Sequence, residues 1–207
     1  AHEINNPLNF IQGGVEGLEQ KLIKSKKIKK DEYGMLIGAI KEGISRASTI
    51  VSSLNEFSHA SDKKLEPCDI KHLIENCLTM IQYRLKHGID LTKEFPDEDI
   101  IVIGNNGKLH QAFLNIVTNS IQAIEDTGTI EIKTSIESGK VTIEFIDSGQ
   151  GIKPEHLKKI TEPFFSTKEP GKGTGLGLSI TYSIINEHNG SLYYESEWGK
   201  GTKATVV

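Results

Sequence analysis

The sequence predicts a helical hairpin followed by an α+β sandwich, in which helices pack on one face of a sheet. Two observations predict these two parts. Over the first quarter of the chain, apolar residues recur at alternating steps of four and three, as they do on paired helices. In the remainder, short apolar runs typical of strands are interspersed with helical segments. We place the hairpin at residues 1–60, a hinge at 61–67 and the sandwich domain at 68–207.

Each helix of the predicted hairpin carries one apolar seam, and the polar stretch KSKKIKKDE separates the two helices. The first seam consists of Ile4, Leu8, Ile11, Val15, Leu18 and Leu22, and the second of Tyr33, Ile37, Ile40, Ile44, Ala47, Val51 and Leu54. A hairpin with one apolar stripe per helix leaves part of each stripe uncovered. Pairing of two hairpins in a four-helix bundle would cover this surface, and we therefore expect a homodimer.

The elements of the sandwich follow one another along the chain. We predict a helix over residues 70–86, strands over 89–95 and 100–103, and a second helix over 106–125. The segments TIEIKTSI and KVTIEFID form an antiparallel strand pair around the turn ESG. A helix near 176–188 and the strands SLYYES and TKATVV complete the order.

Composition excludes several classes of protein. A chain of 207 residues that is 36% hydrophobic can bury a sizeable core. Its net charge of -4 argues against a general nucleic-acid binder, which needs a basic surface. No stretch approaches the roughly 18 apolar residues of a membrane span, so we expect no membrane segment in this chain. Cys68 and Cys77 are too few for a disulfide framework or a zinc site, which favours a reducing, cytoplasmic location.

Two asparagines lie one helical turn apart in the segment HQAFLNIVTNSIQAI. Asn115 and Asn119 share one helix face, so their amides can reach a ligand together. A magnesium ion that bridges phosphates takes only one or two protein oxygens, and neutral amides would suffice. Such residues also cap helices or face water, and the pair alone does not decide between these roles.

Two glycine-rich segments follow the asparagines. Asp147 ends a strand at DSGQGI, where Gly149 and Gly151 allow the backbone to approach a flat ligand while the carboxylate accepts a hydrogen bond. Further on, EPGKGTGLGLSI places several glycines directly before a helix, an arrangement that favours anionic phosphate. Asp-Ser-Gly is also a common turn after a strand, and a glycine-rich loop alone is weak evidence.

The chain begins with AHEINNPLNF, in which His2 lies just off the first seam. Its imidazole would therefore face solvent or a neighbouring protein rather than the bundle core. Asn6 follows four residues later on the same helix face, and Pro7 removes one backbone hydrogen bond from this turn. Alone, a histidine near a chain end is more often a solvated helix residue than a reactive one.

Taken together and in this order, these segments resemble the sensor histidine kinases of two-component signalling. HEINNPL is similar to that family's phosphoacceptor box, LNIVTNSIQAI to its asparagine box and DSGQGI to its first glycine box. EPFFSTK is similar to its phenylalanine box, GTGLGLSI to its second glycine box and GKGTKATVV to its closing strand. The resemblance covers essentially the whole chain. It implies a dimeric phosphoacceptor bundle and a Bergerat-type ATP-binding sandwich, the nucleotide fold of gyrase, chaperone and histidine kinase ATPases.

For the hairpin, the resemblance implies that His2 takes the γ-phosphoryl group of ATP and that Glu3 acts as general base. Asn6 would position water when the protein dephosphorylates its partner. The partner implied is the receiver domain of a response regulator, which would accept the phosphoryl group on an aspartate. The resemblance also leaves open a membrane anchor upstream of Ala1.

For the sandwich, the resemblance implies that Asn115 and Asn119 hold Mg²⁺ and phosphates, and that Asp147 accepts the adenine amine. The further nucleotide-binding residues that it implies are Gly149, Gly151, Lys168, Gly173, Thr174, Gly175, Leu176, Gly177 and Thr202. Residues 153–174 would form a lid over ATP. Ser120 and Gln122 depart from the alanine and the basic residue that are frequent in the asparagine box.

Two other classes share parts of this pattern. The related ATP-driven clamps have a similar pocket but typically carry a glutamate in the asparagine box to activate water. Asn115 stands at that place here, which argues against hydrolysis as the main activity. A noncatalytic scaffold with decayed motifs is the other class. Intact His2, Asn119 and Asp147 argue against it.

Overall fold

The computed structural model describes residues 11–20, 37–38, 40–41, 44, 65–82, 88–168 and 174–207. The chain divides into two compact units. The first, the hairpin unit, comprises Ala1–Asp62 and Ser166–Thr174, and the second, the sandwich unit, comprises Lys63–Phe165 and Gly175–Val207.

Helical residues of the hairpin unit occur where the two apolar seams predict them. Residues 11–20 form helix α1, and the described residues of a second helix, α2, are Ile37, Gly38, Ile40, Lys41 and Ile44. Val15 of α1 packs in one buried cluster with Ile37 and Ile44 of α2. This packing confirms the predicted helical hairpin for these residues, because the three side chains all come from seam positions.

Part of the predicted seam stays exposed when a single chain is considered. Ile11, Leu18 and Ile40 are 51%, 58% and 47% exposed, respectively. Apolar side chains repeated along one helix face and left accessible to water are typical of a surface that pairs with another helix. Within the described residues, no helix is both long and apolar enough to cross a membrane.

The sandwich unit contains seven strands and four helices in its described part. In chain order they are β1 (Glu66–Asp69), α3 (Ile70–Ile81), β2 (Ile89–Glu94), β3 (Ile101–Gly104), α4 (Asn106–Ala123), β4 (Gly128–Glu137), β5 (Lys140–Asp147), α5 (Pro154–Leu157), α6 (Gly177–Glu187), β6 (Leu192–Glu197) and β7 (Gly201–Val206). The predicted helices and strands are present with small shifts at their ends. The helix predicted to reach residue 86 is described as far as Ile81, and residues 83–87 lie outside the described part.

Two features of the sheets differ from the prediction. The main sheet has the strand order β2-β4-β5-β7-β6, and its β2–β4 pair is parallel, a pairing that the sequence did not predict. The long connection through β3 and α4 explains this, because it returns the chain to the sheet in its original direction. β1 was not predicted, and it pairs with β3 in a separate two-stranded sheet. Pro67 within β1 is tolerated because β1 is an edge strand.

Helices α3, α4 and α6 cover one face of the main sheet, as predicted. Their apolar faces join those of β4, β5, β6 and β7 in one core that includes Phe113, Ile116, Ile132, Phe145 and Ile185. The rings of Phe113 on α4 and Phe145 on β5 meet with centroids 5.9 Å apart. Burial of this face fixes which side of α4 remains for a ligand, because apolar contact determines the rotation of the helix about its axis.

His188, directly after α6, joins the end of that helix to the start of α4. Its Nε2 accepts a hydrogen bond from the backbone N–H of Asn105 at 2.8 Å, and its Nδ1 lies 2.7 Å from the carbonyl oxygen of Ile184. Lys108 of α4 also pairs with Glu187 of α6 at 2.7 Å. These contacts hold two helices together at the end remote from Asn115.

We expect His188→Ala to lower the free energy of unfolding of the sandwich unit by about 1–3 kcal/mol, because it leaves the half-buried Asn105 N–H without its imidazole acceptor. Calorimetric melting of the full chain measures the change. His72→Ala is the matched control, since His72 is exposed on α3 and its removal should have little effect. Equal melting of the two variants would contradict this role of His188.

Candidate functional site

A buried carboxylate stands at the end of β5. Asp147 is only 7% exposed, although it lies at the last position of the strand, where the chain turns into a glycine-containing loop. An ionised side chain rarely has this burial unless it is paired or well hydrogen-bonded. The surroundings of Asp147 therefore decide whether it is structural or available to a ligand.

The Asp147 carboxylate meets polar groups from three different elements. The backbone N–H of Gly149 donates to Oδ1 at 2.9 Å. Burial raises the pKa of Asp147 above its ordinary value, while the Gly149 N–H, the Ser120 hydroxyl of α4 and the Thr202 N–H of β7 act in the opposite direction. These polar groups are hydrogen-bond donors. Such surroundings suit an ionised carboxylate that acts as a hydrogen-bond acceptor.

The loop after Asp147 is tied down on two sides. Gln150 N–H donates to the carbonyl of Ala123 at the end of α4, and the Gln150 carbonyl accepts from Gly199 N–H at 2.7 Å. Ile152 N–H donates to the Ser196 hydroxyl at 2.8 Å. Gly151 lies against the backbone of the turn between β6 and β7. The loop is thus held by hydrogen bonds to its neighbours, so a ligand would meet a preformed backbone.

Gly201 allows β7 to approach Asp147 closely. Its φ of 127° is in a region that residues with side chains rarely adopt, and an added Cβ would lie 1.9 Å from the Asp147 carbonyl oxygen. The next residue, Thr202, pairs with Asp147 across the sheet, and its backbone N–H lowers the pKa of the Asp147 carboxyl. Thr202 was expected from the resemblance. Gly201 was not, because its role depends on strand pairing that the sequence does not display.

The two asparagines of α4 lie where the helical spacing predicts them, half-buried on one face. Asn115 donates from Nδ2 to the carbonyl of Gly177 at 3.3 Å, across to the start of α6. This bond orients the amide so that Oδ1, its acceptor oxygen, is the atom left for a cation or a donor. Among the described residues there is no group of three metal-binding histidine, cysteine or acidic side chains. Amide oxygens therefore fit a magnesium ion held chiefly by phosphates and water.

The start of α6 adjoins these asparagines. Gly177 is the first residue of α6, and its carbonyl also accepts from the Thr181 hydroxyl at 2.9 Å. Leu176 before it is buried in the core, which anchors the helix start. Gly175 has φ 69°, and an added Cβ would lie 2.4 Å from the backbone of Phe164. The glycine thus permits the backbone that follows the predicted lid to meet the backbone at Phe164, within the lid.

Several predicted residues are not placed at this site. His2, Glu3, Asn6 and Gly173 lie outside the described residues. Lys168 and Thr174 belong to the hairpin unit, and their part in nucleotide binding stays a prediction. The structure brings together the remaining predicted residues of the sandwich unit, namely Asn115, Asn119, Asp147, Gly149, Gly151, Gly175, Leu176, Gly177 and Thr202, around α4, the loop after β5 and the start of α6.

Comparison with known families identifies both parts of the chain. Residues 104–207 match the family described as Histidine kinase-, DNA gyrase B-, and HSP90-like ATPase. Residues 1–62 match the His Kinase A (phospho-acceptor) domain. The chain therefore belongs to the sensor histidine kinases of two-component signalling, which are phosphotransferases with an ATPase module of this type. The family and the fold class expected from the sequence are confirmed.

Individual relatives agree with this assignment. Sporulation kinase C of Bacillus subtilis (strain 168) is 32% identical over 209 residues, which cover 100% of this chain and 46% of that protein. The catalytic domain of histidine kinase ThkA has 30% identity and a TM-score of 0.63, covering 69% of this chain and 93% of that one. ThkA in complex with response regulator protein TrrA has 28% identity and a TM-score of 0.70, covering 100% of this chain and 58% of that one. This chain thus spans about half the length of the curated relative.

The free energy of unfolding should depend on pH in a way that reflects the unfavourable burial of Asp147. Because the folded-state pKa is raised, the ligand-free native state loses stability as pH rises through the window from the ordinary aspartate pKa to the folded one. We expect Asp147→Asn to melt at the same or a higher temperature at pH 7, with its advantage shrinking as pH falls through that window. Asp90→Asn, at an exposed position of β2, is the control. A large loss of stability in Asp147→Asn alone would contradict this assignment.

Proposed function

We propose that this protein transfers the γ-phosphoryl group of ATP to His2 and then passes it to an aspartate of a response regulator. The observation that carries the proposal is the buried, donor-surrounded Asp147 beside the asparagines of α4, in a chain whose first 62 residues match a phospho-acceptor domain. The carboxylate needs a donor ligand, and the exocyclic amine of adenine is one. The partner class rests on the similarity to ThkA bound to a response regulator.

Each part of the site has one task in this reaction. Asp147 accepts the adenine amine, and the Gly149–Gly151 loop contacts the base. Asn115 and Asn119 hold the phosphates and a magnesium ion, whose positive charge would offset the charge on the phosphates. The amide groups at Gly175 and Gly177 face the phosphates at the start of α6. The nucleotide is thus bound at its base and at its phosphates by one preformed sandwich domain.

The chemical step takes place at the imidazole of His2. A neutral imidazole nitrogen attacks the γ-phosphorus, a P–N bond forms, and the bond from phosphorus to the oxygen of ADP breaks. The proton on the other ring nitrogen passes to the carboxylate of Glu3. The attacking form is the neutral imidazole, because a protonated imidazole has no nitrogen lone pair with which to form the P–N bond.

Asn115 distinguishes this proposal from an ATP-driven clamp. A clamp that hydrolyses ATP needs a base to activate water, and an amide cannot accept a proton at neutral pH. The Asn115 amide nitrogen is also engaged with the Gly177 carbonyl. Water activation is therefore not supported at this position, and transfer to a histidine nucleophile is favoured.

Point variants should be able to remove phosphoryl transfer without changing nucleotide binding. We expect His2→Gln to abolish labelling from γ-labelled ATP with unchanged ATP affinity, because nucleophile and nucleotide are bound by different domains. Asn119→Ala should weaken ATP binding about tenfold or more and lower labelling in parallel. The label should be stable in base and lost in acid, as for a phosphoramidate. His72→Gln controls for other histidines.

Retention of label in His2→Gln, or unchanged ATP affinity in Asn119→Ala, would contradict the assignment.

Asn6 should have a role that is separate from the kinase step. We propose that it orients water during dephosphorylation of the response regulator. Asn6→Ala should keep most labelling and lose phosphatase activity toward the phosphorylated regulator. Equal loss of both activities would place Asn6 in the kinase step instead.

We also propose that the hairpin unit forms a homodimer through the exposed part of its seam. Ile40→Lys should yield monomers in light scattering, because an unpaired lysine at this position would have to be buried in the dimer. Gly38→Lys adds the same charge two residues away, off the predicted seam, and should leave the dimer intact. If both variants form dimers, the dimer interface must lie on another surface.

A further inference from the structure

Three side chains form one row across three neighbouring strands of the main sheet. Asp147 on β5 lies directly opposite Thr202 on β7, and Thr202 lies directly opposite Ser196 on β6. Residues that face each other in antiparallel strands place their side chains on the same face, with Cβ atoms about 4.5–5.5 Å apart. Asp147 is buried, whereas Thr202 and Ser196 are partly exposed. Ser196 was not predicted for the site, but it belongs to the same row as Asp147.

The Ser196 hydroxyl is in contact with three polar atoms. Its Oγ lies 2.7 Å from the carbonyl oxygen of Gly201, 2.8 Å from the backbone nitrogen of Ile152 and 2.9 Å from Oγ1 of Thr202. A serine hydroxyl has one proton to donate and two lone pairs with which to accept. The three contacts therefore use its whole hydrogen-bonding capacity.

The chemistry of the three partners fixes where the protons lie. A carbonyl oxygen can only accept, so the single proton of Ser196 goes to Gly201. A backbone N–H can only donate, so Ile152 occupies one lone pair of Ser196. The contact between the two hydroxyls must then take its proton from Thr202, because Ser196 has no second one. The Thr202 hydroxyl is left with lone pairs and without a proton for a ligand.

This side of the site thus presents two neighbouring acceptors. An ionised Asp147 has no proton to donate, and the proton of Thr202 is committed to Ser196. The two N–H bonds of a primary amine diverge, so acceptors about 2.9 Å from its nitrogen lie about 5 Å from each other. That separation is similar to the spacing of side chains that face each other across two strands. A primary amine therefore suits Asp147 and Thr202 together.

We propose that Ser196 is a positioning residue for base recognition, which fixes the Thr202 hydroxyl as an acceptor so that Asp147 and Thr202 together bind both N–H groups of a primary exocyclic amine. This inference rests on the proposed binding of the adenine amine by Asp147. It adds an acceptor for the second N–H of that amine. Ser196 does not touch the base and acts only through the direction of the Thr202 proton.

Loss of the Ser196 hydroxyl should affect the second N–H alone. In Ser196→Ala the Thr202 proton loses its acceptor, and the Thr202 hydroxyl is free to turn its proton toward the base. The contact of the first N–H with Asp147 does not involve Ser196. The Ile152 N–H also loses its acceptor, but any loosening of the loop after β5 would affect all purine nucleotides alike. The number of N–H groups on the ligand therefore separates the two effects.

Three nucleotides with two, one and no N–H groups at C6 test the inference. They are ATP, N6-methyl-ATP and purine riboside triphosphate, and calorimetry measures their affinities for the full chain with magnesium present. The variants are Ser196→Ala, Thr202→Val and the double variant. Valine keeps the shape of threonine without its hydroxyl. The control is Ser135→Ala, which removes an exposed serine hydroxyl from β4 on the opposite face of the sheet.

The ratio of ATP affinity to N6-methyl-ATP affinity measures the second N–H. The added methyl group is the same for every variant, so changes in the ratio report the hydrogen bond. Thr202→Val should lower the ratio by about fivefold, and Ser196→Ala by about threefold or more. In the Thr202→Val background, Ser196→Ala should change the ratio by less than about twofold, because its effect passes through Thr202. Ser135→Ala should match the parent protein.

The possible failures are distinct. A parent protein that binds ATP and purine riboside triphosphate equally would refute base recognition by Asp147, and with it the inference. If the parent prefers ATP over purine riboside triphosphate but Thr202→Val keeps the parent ratio of ATP to N6-methyl-ATP, recognition by Asp147 stands and the second acceptor is refuted.

A purely structural role of Ser196 has its own signature. Equal loss of affinity for all three nucleotides in Ser196→Ala, or a further fall of the ratio when it is added to Thr202→Val, would refute action through Thr202. If Ser196→Ala does not fold, Ser196→Cys takes its place, because cysteine keeps the size of serine and forms only weak hydrogen bonds. The same outcomes then decide.

Discussion

The site depends on keeping one buried carboxylate both charged and directed. Burial opposes ionisation of Asp147, and polar groups of the loop after β5, of β7 and of α4 oppose its protonation. These groups lie on different elements, so they act on the carboxyl together only when the sheet, the loop and the helix have their native arrangement. The same packing orients Asn115 of α4. The proposed recognition of the base and of the phosphates would therefore depend on one packed unit.

Helices α4 and α6 are joined at both ends of α6. Asn115 contacts the Gly177 carbonyl near the proposed phosphates, and His188 contacts Asn105 at the opposite end. Between these contacts, both helices bury apolar residues in the common core. Rigidity of this pair favours a pocket that exists before the nucleotide arrives, so less binding energy is lost in ordering the site.

The periodic spacing of apolar residues predicted most helices and strands, because burial of one face imposes that spacing. The alternation in KVTIEFID follows β5 from its first to its last residue, and the seam positions Val15, Ile37 and Ile44 are buried together. Features that depend on distant pairing were not readable in the same way. β1 contains a proline and two acidic residues, and the parallel pairing of β2 depends on the path of the intervening chain. Ser120 was noted only as a departure from the alanine that is frequent in the asparagine box, whereas its hydroxyl is among the groups that lower the pKa of Asp147, a residue of the opposite layer.

The most direct test of this account is the pKa of Asp147 measured by carbon NMR of its carboxyl group, assigned with the Asp147→Asn variant. The titration is repeated with saturating adenosine and with purine riboside, which lack phosphate charge and differ only in the amine. A hydrogen bond from the amine stabilises the ionised carboxylate, so we expect a lower pKa of Asp147 with adenosine than with purine riboside. An equal or higher pKa with adenosine would contradict the claim that Asp147 reads the base as an acceptor.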